Sequence, residues 1–436
     1  MISKALCFCF FLSSTQGMVV SAETGPSESQ IDGLVSKHCG TCHRAGGSGP
    51  FMLQDAQDLL KRKQFIKTVI ESDLMPPWPL TSSLPVHGDR RLSDSDKKLL
   101  LEWLASGTSD ENKTPLEPNT KNQTRKSSSA ETFVQLAMRK SWIIPAEGGK
   151  RWFKGERDKR TFLIPASNQT DLRVREIMYT TTAPLAVAAV ALSSDDTGQA
   201  RRYIDWDTDS GTYMAGDVGF VAAGSLAVLG PAGGKLALPV GYHLSIPRNS
   251  DLVSEVHFRP QGREWTLEDS IRLKTVPDDV ASIALVPVNL MLRKVVLLQG
   301  ESLDDTREMI MEQDVTLVAV TPRAGRRCTR LSLVLESPDG ASRTTILESD
   351  DWNPHYRSTL VLKTPVSVPA GSKLIGSWHY DNSESNPRNP VSPPEEVSLG
   401  ARCGIANFLL LCAPNTQQEE ATLRAFSRSV VRKAQR

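Results

Sequence analysis

The sequence predicts a multidomain protein in which a small all-α domain precedes tandem all-β sandwiches of jelly-roll-like type. Apolar residues recur with helical spacing in about the first 110 residues, whereas later segments are short apolar strands separated by Gly, Pro, Asn and Asp. The 436 residues suffice for several folded units, and 39% hydrophobic residues exclude a wholly disordered chain. The absence of a fixed-period repeat excludes a solenoid.

The balance of acidic and basic residues indicates which classes of partner the protein binds. Lys and Arg total 51 and Asp and Glu total 50, which gives a formal net charge of +1. Because nucleic-acid binding requires a strongly basic surface, we expect no nucleic-acid partner. No apolar run of about 20 residues follows the N-terminal segment, so we expect no transmembrane segment in the mature chain.

Residues 1–22 have the pattern of a signal peptide. A short basic start precedes an apolar stretch over 5–12, and small residues end at Ala22. The alternative is an anchor retained in the membrane, but the apolar stretch is too short to span a bilayer comfortably. We therefore expect an exported protein in the periplasm or the cell envelope.

Five cysteines remain after the signal peptide, and two belong to the motif Cys39-Gly40-Thr41-Cys42-His43. This C-x-x-C-H spacing is typical of covalent haem c attachment, in which two thiols add to the porphyrin and the adjacent imidazole binds iron. A thioredoxin-like dithiol and half of a zinc site are the alternatives. A zinc site would require a second ligand pair, which the next residues do not supply. We expect one covalent haem c.

A second axial ligand is expected on the segment that follows. Met75 precedes two prolines, which restrict the backbone and would hold the thioether on a stiff extended loop. Met52 lies only nine residues after His43, too close to wrap around to the distal side. We expect Met75 as the ligand, with His87 and a vacant position as the alternatives.

Helical patterns surround this motif. A short helix leads into Cys39, residues 55–73 carry an apolar helical stripe, and Ser93 is the expected N-cap of a helix that ends at Gly107. Together with the motif, these patterns make residues 28–110 resemble a monohaem cytochrome c domain. The resemblance implies one-electron transfer.

The rest of the chain divides by composition. Residues 111–130 are polar and turn-rich, which predicts a linker. Strand-like runs then predict a first sandwich over 131–280 and a second over 281–415. Residues 416–436 are expected to form a basic tail, either a helix or a loose end.

Two landmarks in the β region resemble a known family. The first comprises residues 239–241 and 250–262, and the second comprises 369–372, 380–383 and 386–390. Both resemble the copper type II, ascorbate-dependent monooxygenases, the family of the peptidylglycine hydroxylating monooxygenase, whose catalytic core is two β-sandwiches.

The resemblance implies two mononuclear copper sites, one with three histidines and one with a His-x-His and a Met. Only the third histidine is present, as His257. The other positions fall on residues that are poor copper ligands: Ala188, Ala189, Arg323, Gly325 and Asn407. We therefore expect no copper, and His257 marks a vestigial copper-ligand position.

Three further cysteines, Cys328, Cys403 and Cys412, lie in the β region. Because an exported compartment permits disulfides, we expect one pair among the three, with the partners left open.

Two functions are compatible with these features. One is an exported c-type cytochrome that carries electrons, with a catalytically degenerate monooxygenase-like module used for docking or structure. The alternative is a copper-dependent monooxygenase that receives electrons from its own haem domain. The missing copper ligands favour the first. In that case the partners are redox proteins, an electron donor and an electron acceptor.

Overall fold

The computed structural model describes residues 25–78, 80–106, 132–146, 159–206, 212–213, 224–230, 234–259, 261–292, 295–354, 357–399 and 406–434. The predicted signal peptide, the predicted linker and Cys403 lie outside the described residues. Within the described ranges, strands make up 42% and helices 18% of the residues, so this part of the protein is mostly β, consistent with the predicted β-sandwiches. None of the described helices is long and apolar enough to cross a membrane.

Four short α-helices form an N-terminal helical unit. They are α1 (Glu28–Leu34), α2 (Ala56–Leu60), α3 (Lys63–Glu71) and α4 (Asp94–Ser106). A π-helical turn, Val35–Cys39, continues α1 into the C-x-x-C-H motif.

Capping residues and an apolar core explain these helices. A capping box begins α1 at Ser27, and the Ser93 hydroxyl accepts a 3.0 Å hydrogen bond from the Asp96 amide, which confirms the predicted N-cap of α4. The stripe over 55–73 is divided between α2 and α3 because the backbone at Arg62 leaves helical geometry. The helices share one buried cluster, formed by Ile31, Val35, Leu53, Ala56, Leu59, Ile66, Ile70, Leu100, Trp103 and Leu104.

The β region is built from short strands, and two helices accompany them. The strands, including one in the N-terminal unit, are β1 (Ser82–Ser83), β2 (Phe133–Ala137), β3 (Trp142–Ile144), β4 (Lys159–Pro165), β5 (Leu172–Thr180), β6 (Val187–Asp195), β7 (Thr212–Tyr213), β8 (Ser225–Leu229), β9 (Lys235–Ala237), β10 (Tyr242–Ile246), β11 (Asp251–Phe258), β12 (Trp265–Leu267), β13 (Ser270–Thr275), β14 (Ile283–Met291), β15 (Val295–Leu297), β16 (Ser302–Ile310), β17 (Val315–Arg323), β18 (Cys328–Glu336), β19 (Arg343–Ser349), β20 (Leu360–Val368), β21 (Lys373–Asp381), β22 (Val397–Leu399) and β23 (Asn407–Pro414). The helices are α5 (Gln199–Trp206) and α6 (Gln417–Ala434).

The first sandwich packs a five-stranded sheet, in the order β7-β4-β11-β6-β8, against β2, β13, β5 and β10. Side chains such as Phe162, Val190 and Val256 from the five-stranded sheet share one buried cluster with Ile177 and Leu244 from the opposite sheet. Burial of these inward-facing side chains is the main stabilising contribution, because apolar surface leaves water on both sheets at once.

The second sandwich packs the sheet β1-β19-β18-β21-β16 against β14, β23, β17 and β20. Its core includes Trp378 and Phe408, whose rings stack with centroids 5.0 Å apart. The two sandwiches are joined edge to edge, since β10 pairs in parallel with β14 from Tyr242↔Ile283 to Leu244↔Leu285. One nine-stranded sheet therefore runs through both sandwiches.

The segment predicted to be all-α contains one strand, and that strand belongs to the second sandwich. Ser82 and Ser83 of β1 pair antiparallel with Glu348 and Leu347 of β19. The sequence does not predict this strand, because two residues are too few to show a period-2 pattern.

The C-terminal segment forms the helix α6, which packs on the second sandwich. Leu423 is fully buried in the core of that sandwich, and the Ser427 hydroxyl donates a 2.6 Å hydrogen bond to the Pro287 carbonyl on β14. The basic residues Arg432 and Lys433 lie in its last turn, where they complement the helix dipole. Of the two forms expected for this segment, a helix or a loose end, the structure has the helix.

The two described cysteines of the β region do not form the expected disulfide, and Cys403 lies outside the described residues. Cys328 on β18 and Cys412 on β23 are both free, buried thiols, and both belong to the apolar core of the second sandwich. Burial raises the pKa of the Cys412 thiol to about 12 and that of Cys328 well above its ordinary value. Both residues therefore act as small apolar core side chains.

Candidate functional site

A cleft in the helical unit brings the predicted site residues together. Cys39, Cys42, His43 and Met75 all line it, and apolar side chains from α2, α3 and α4 form much of the remaining wall. The cleft is partly open to solvent, and its enclosed volume is about 180 Å³. Its mainly apolar lining, with a few polar groups, suits an apolar ligand.

The π-helical turn positions the two cysteines. The amides of Cys42 and His43 both donate to the Cys39 carbonyl, over 3.1 Å and 3.0 Å, so the motif is a tight turn with both thiols half-buried at the cleft. Neither thiol is in a disulfide. Burial, with a smaller contribution from Cys42, raises the pKa of Cys39 to about 11.

His43 is held with one nitrogen available for coordination. Its Nδ1 lies 2.8 Å from the Phe51 carbonyl, and because a carbonyl only accepts, Nδ1 carries the proton and Nε2 keeps its lone pair. A Cβ on Gly49 would lie 2.5 Å from Nδ1, so the close approach of this backbone requires glycine. The ring is thus fixed in position and tautomer.

Met75 reaches the same cleft from the end of α3. The amides of Leu74 and Met75 donate to the Val69 carbonyl over 2.9 Å and 3.0 Å, which turns the chain back across the cleft. The alternative ligand His87 is exposed, does not line the cleft, and donates its amide to the Val361 carbonyl of the second sandwich. Met52 is 50% exposed and does not line the cleft either.

Three cleft residues were missed by the sequence analysis. The His38 Nδ1 donates to the Arg90 carbonyl over 3.0 Å, and its Nε2 lies 3.5 Å from Asp96 on α4. The Arg90 guanidinium reaches the Cys42 sulfur at 3.9 Å, and Arg259 contributes to the cleft from the end of β11. The position of His38 next to Cys39 was a usable signal, whereas nothing in the sequence connects Arg259 with this cleft.

Strand β11 links the cleft to the residue predicted as a vestigial copper position. Val256 and Phe258 point into the first sandwich, so alternation puts Glu255, His257 and Arg259 on the opposite face. Arg259 lines the cleft, whereas Glu255 and His257 do not line it and are buried in a cluster of charged groups.

Both ring nitrogens of His257 are occupied. An Arg357 nitrogen lies 2.5 Å from Nδ1, and because arginine only donates, Nδ1 accepts and Nε2 carries the proton that it donates to Glu255 over 2.7 Å. Burial, followed by the charge of Arg357, lowers the pKa of His257 to about 4. The imidazole is therefore neutral at pH 7, and neither nitrogen has a lone pair free for a metal.

Glu255 is the negative centre of this cluster. Burial alone would raise its pKa, but Lys159, His257 and Arg323 together hold the pKa of Glu255 well below its ordinary value. The Arg323 guanidinium lies 3.8 Å from the Glu255 carboxylate, and the Lys159 ammonium lies 4.0 Å from it. Since Lys159 and Glu255 belong to the first sandwich and Arg323 to the second, the cluster connects the two by charge.

The positions carried over from the monooxygenase family lie near each other in pairs. Ala189 faces His257 across the β6–β11 ladder, and Arg323 faces Asn407 across the β17–β23 ladder. Asn407 donates its side-chain amide to the Asn289 side chain instead of facing an open site. Among the described residues, no group of three or more histidine, cysteine or carboxylate side chains could hold a metal ion.

His243 does not join His257, although the two are close in sequence. It lies on β10 in the nine-stranded sheet, and its Nδ1 is 2.8 Å from the Ser282 hydroxyl. Burial, with a contribution from Arg173, lowers the pKa of His243 to about 4. The two histidines therefore belong to separate environments.

No family model matches the chain, and no curated protein matches it. Among solved structures, it is similar to PNGF-II, with 10% identity, 65% of this chain and 66% of that chain covered, and a TM-score of 0.30. It is also similar to the infectious bursal disease virus Gx strain structure (6% identity, 66% and 73% covered, TM-score 0.18) and to the major capsid protein P2 of bacteriophage PM2 (6%, 65% and 99%, 0.22). The chain spans just under two thirds of the length of PNGF-II. TM-scores this low do not establish a shared fold.

Proposed function

We propose that this chain is an exported monohaem c-type cytochrome that carries electrons between redox proteins of the periplasm or cell envelope. We further propose that its β region is a copper monooxygenase-like module without copper, used for docking or structure. The observation that carries the proposal is the cleft where Cys39, Cys42, His43 and Met75 meet.

The residues of the cleft fit a covalent haem c. Cys39 and Cys42 are free to form the two thioether bonds, and His43 has its Nε2 lone pair available for iron because Nδ1 is engaged by the Phe51 carbonyl. Met75 would supply a thioether ligand to its iron. Haem, when bound, supplies reversible one-electron transfer, and a thioether ligand raises its reduction potential.

The chain's own residues would orient and shield this group. The Phe51 carbonyl accepts a hydrogen bond from His43 Nδ1 and so fixes the ring orientation, as the partner of a metal-binding histidine does. Apolar side chains such as Leu59 and Ile70 line the cleft and exclude water, which also favours the less charged reduced state. Arg90 places a positive charge beside Cys42.

The cluster on β11 supports the proposal that the β region lacks copper. His257 uses both nitrogens for hydrogen bonds, so it would have to abandon Arg357 or Glu255 to bind a metal. Arg323 adds a buried positive charge at a position where the resemblance implies a ligand, and this charge would repel a copper ion. The monooxygenase alternative would require donors that these positions do not supply.

Haem staining and metal analysis of the exported, full-length protein test the proposal. We expect a haem-positive band on a denaturing gel, one iron per chain and no stoichiometric copper. Cys42→Ala should leave at most one thioether bond and shift the absorption spectrum of the reduced protein, whereas Cys412→Ala, outside the cleft, should not. A wild-type chain without covalent haem, or one with two coppers per chain, would refute the proposal.

A further inference from the structure

The segment that follows Met75 belongs to two structural units at once. We call residues 80–87 the strap. Met75 lies at the cleft of the helical unit, and only five residues later Leu80 is buried in the core of the second sandwich. The same chain then returns to the helical unit, where the Arg90 carbonyl accepts a hydrogen bond from His38.

Backbone hydrogen bonds attach the strap to two strands of the second sandwich. The amides of Thr81 and Leu84 donate to carbonyls of β19, at Glu348 and Ile346, each over 2.9 Å. On the other side, His87 donates its amide to Val361 over 2.8 Å, and the Pro85 carbonyl accepts from Lys363 on β20 over 2.8 Å. The strap therefore bridges β19 and β20.

Apolar burial fixes the strap more firmly than these bonds alone. Leu80 is 4% exposed and Val86 is 1% exposed, and both belong to the core cluster of the second sandwich. Val86 also forms a β-bridge with Leu362. Because these side chains would be exposed to water if the strap came away, separation of the strap from the sandwich is costly.

Met75 is linked to the attached strap by a short stretch of chain. Five residues span at most about 18 Å even when fully extended, and prolines at 76 and 77 restrict the backbone between Met75 and the strap. At the other end, the His38–Arg90 hydrogen bond returns the chain to the turn that carries Cys39. Met75 is therefore tethered to the second sandwich, and it stays within about 18 Å of Leu80 while the strap is in place.

We propose that the second sandwich holds Met75 at its ligand position through the strap, with Leu80 and Val86 as positioning residues. This inference rests on the proposed haem function. The β region then has a defined role, since the occupancy of the Met75 position and the strap–sandwich contact are coupled. By thermodynamic reciprocity, a partner that binds at β19 or β20 and loosens the strap would also weaken the Met75 ligand.

Competition with imidazole in the full-length holoprotein tests the coupling. Imidazole binds ferric haem by displacing the methionine, so its dissociation constant measures how firmly Met75 is held. We expect Leu80→Ala and Val86→Ala to bind imidazole about fivefold or more tightly than wild type, with a weaker near-infrared charge-transfer band of the methionine ligand. Leu335→Ala is the matched control, because Leu335 lies in the same core but pairs with Thr344 and Leu374 instead of the strap.

A second measurement covers variants that fail to fold. Hydrogen exchange of the wild-type amides of Thr81, Leu84 and His87 should accelerate when saturating imidazole displaces Met75, while amides in the centre of β18 keep their rate. Unchanged exchange of the strap amides, or imidazole affinities equal to those of Leu335→Ala, would overturn the coupling alone. A chain without covalent haem would overturn the proposed function together with this inference.

Discussion

The charged cluster around His257 makes the protein sensitive to mild acid in a calculable way. The unfolded chain protonates this histidine near pH 6.5, whereas the folded protein, with its pKa lowered to about 4, does so only in stronger acid. Between these values the unfolded state binds more protons, so the free energy of unfolding rises with pH in this window. The contribution is complete above pH 6.5 and is lost as the pH falls through about 4.

The magnitude follows from the lowered pKa. At about 1.4 kcal/mol per pKa unit, a change from 6.5 to about 4 corresponds to roughly 3 kcal/mol for this one side chain. His257 is 6% exposed and fully enclosed by charged neighbours, so solvent screening reduces this value little. The loss is a large part of the stability of an ordinary domain.

His257→Gln is the perturbation that isolates this contribution. A glutamine amide can donate to Glu255 and its oxygen can accept from Arg357, so the variant keeps both kinds of hydrogen bond but does not titrate. We expect the wild-type free energy of unfolding to fall, relative to that of the variant, by about 3 kcal/mol between pH 7 and pH 4.

Urea unfolding at several pH values, followed by tryptophan fluorescence, measures this difference. Trp142 is a suitable reporter because its ring stacks on Phe258 of β11, with centroids 5.3 Å apart. Parallel pH profiles for the wild type and His257→Gln, within about 1 kcal/mol, would refute the reasoning, because the imidazole would then titrate alike in the folded and unfolded chains.

Three further outcomes are expected. Met75→Ala should abolish the near-infrared band of a methionine-bound ferric haem and lower the reduction potential. Met52→Ala, at an exposed position, should change neither. Unchanged spectra in Met75→Ala would exclude Met75 as a ligand. Calorimetric titration with Cu(II) should reveal no tight site and no rise in thermal midpoint, and a tight site lost in His257→Ala would contradict the proposed absence of copper. Cys328 and Cys412 should resist a thiol reagent until urea unfolds the chain, since burial raises both pKa values; fast labelling of the native protein would contradict their burial.

The candidate site was partly predictable because its central motif is local. Cys39 and His43 are separated by so few residues that one helical turn brings them to the same cleft, whatever the rest of the chain does. The cap at Ser93 was likewise recognisable, since the hydroxyl bonds an amide three residues away. Strand alternation and turn residues were enough to predict a mostly β region.

Other features depend on which surfaces meet, and a single sequence does not specify this. That Met75 and not His87 faces the cleft follows from the attachment of the strap to β19 and β20, which lie more than 250 residues further along the chain. The same holds for the predicted disulfide, because compartment and cysteine count do not reveal that Cys328 and Cys412 lie on strands of separate sheets with both thiols free.

The sequence by itself determined the C-x-x-C-H turn, the helix caps and the β character of the larger part, since each arises from short-range geometry and side-chain periodicity. Only the tertiary structure decided that one sheet runs through both sandwiches and that the strap joins the helical unit to the second. It alone decided, too, that His257 is enclosed by Glu255 and Arg357. The physical reason is that alternation assigns a residue to a face of its strand, whereas the packing of distant elements decides what that face contacts.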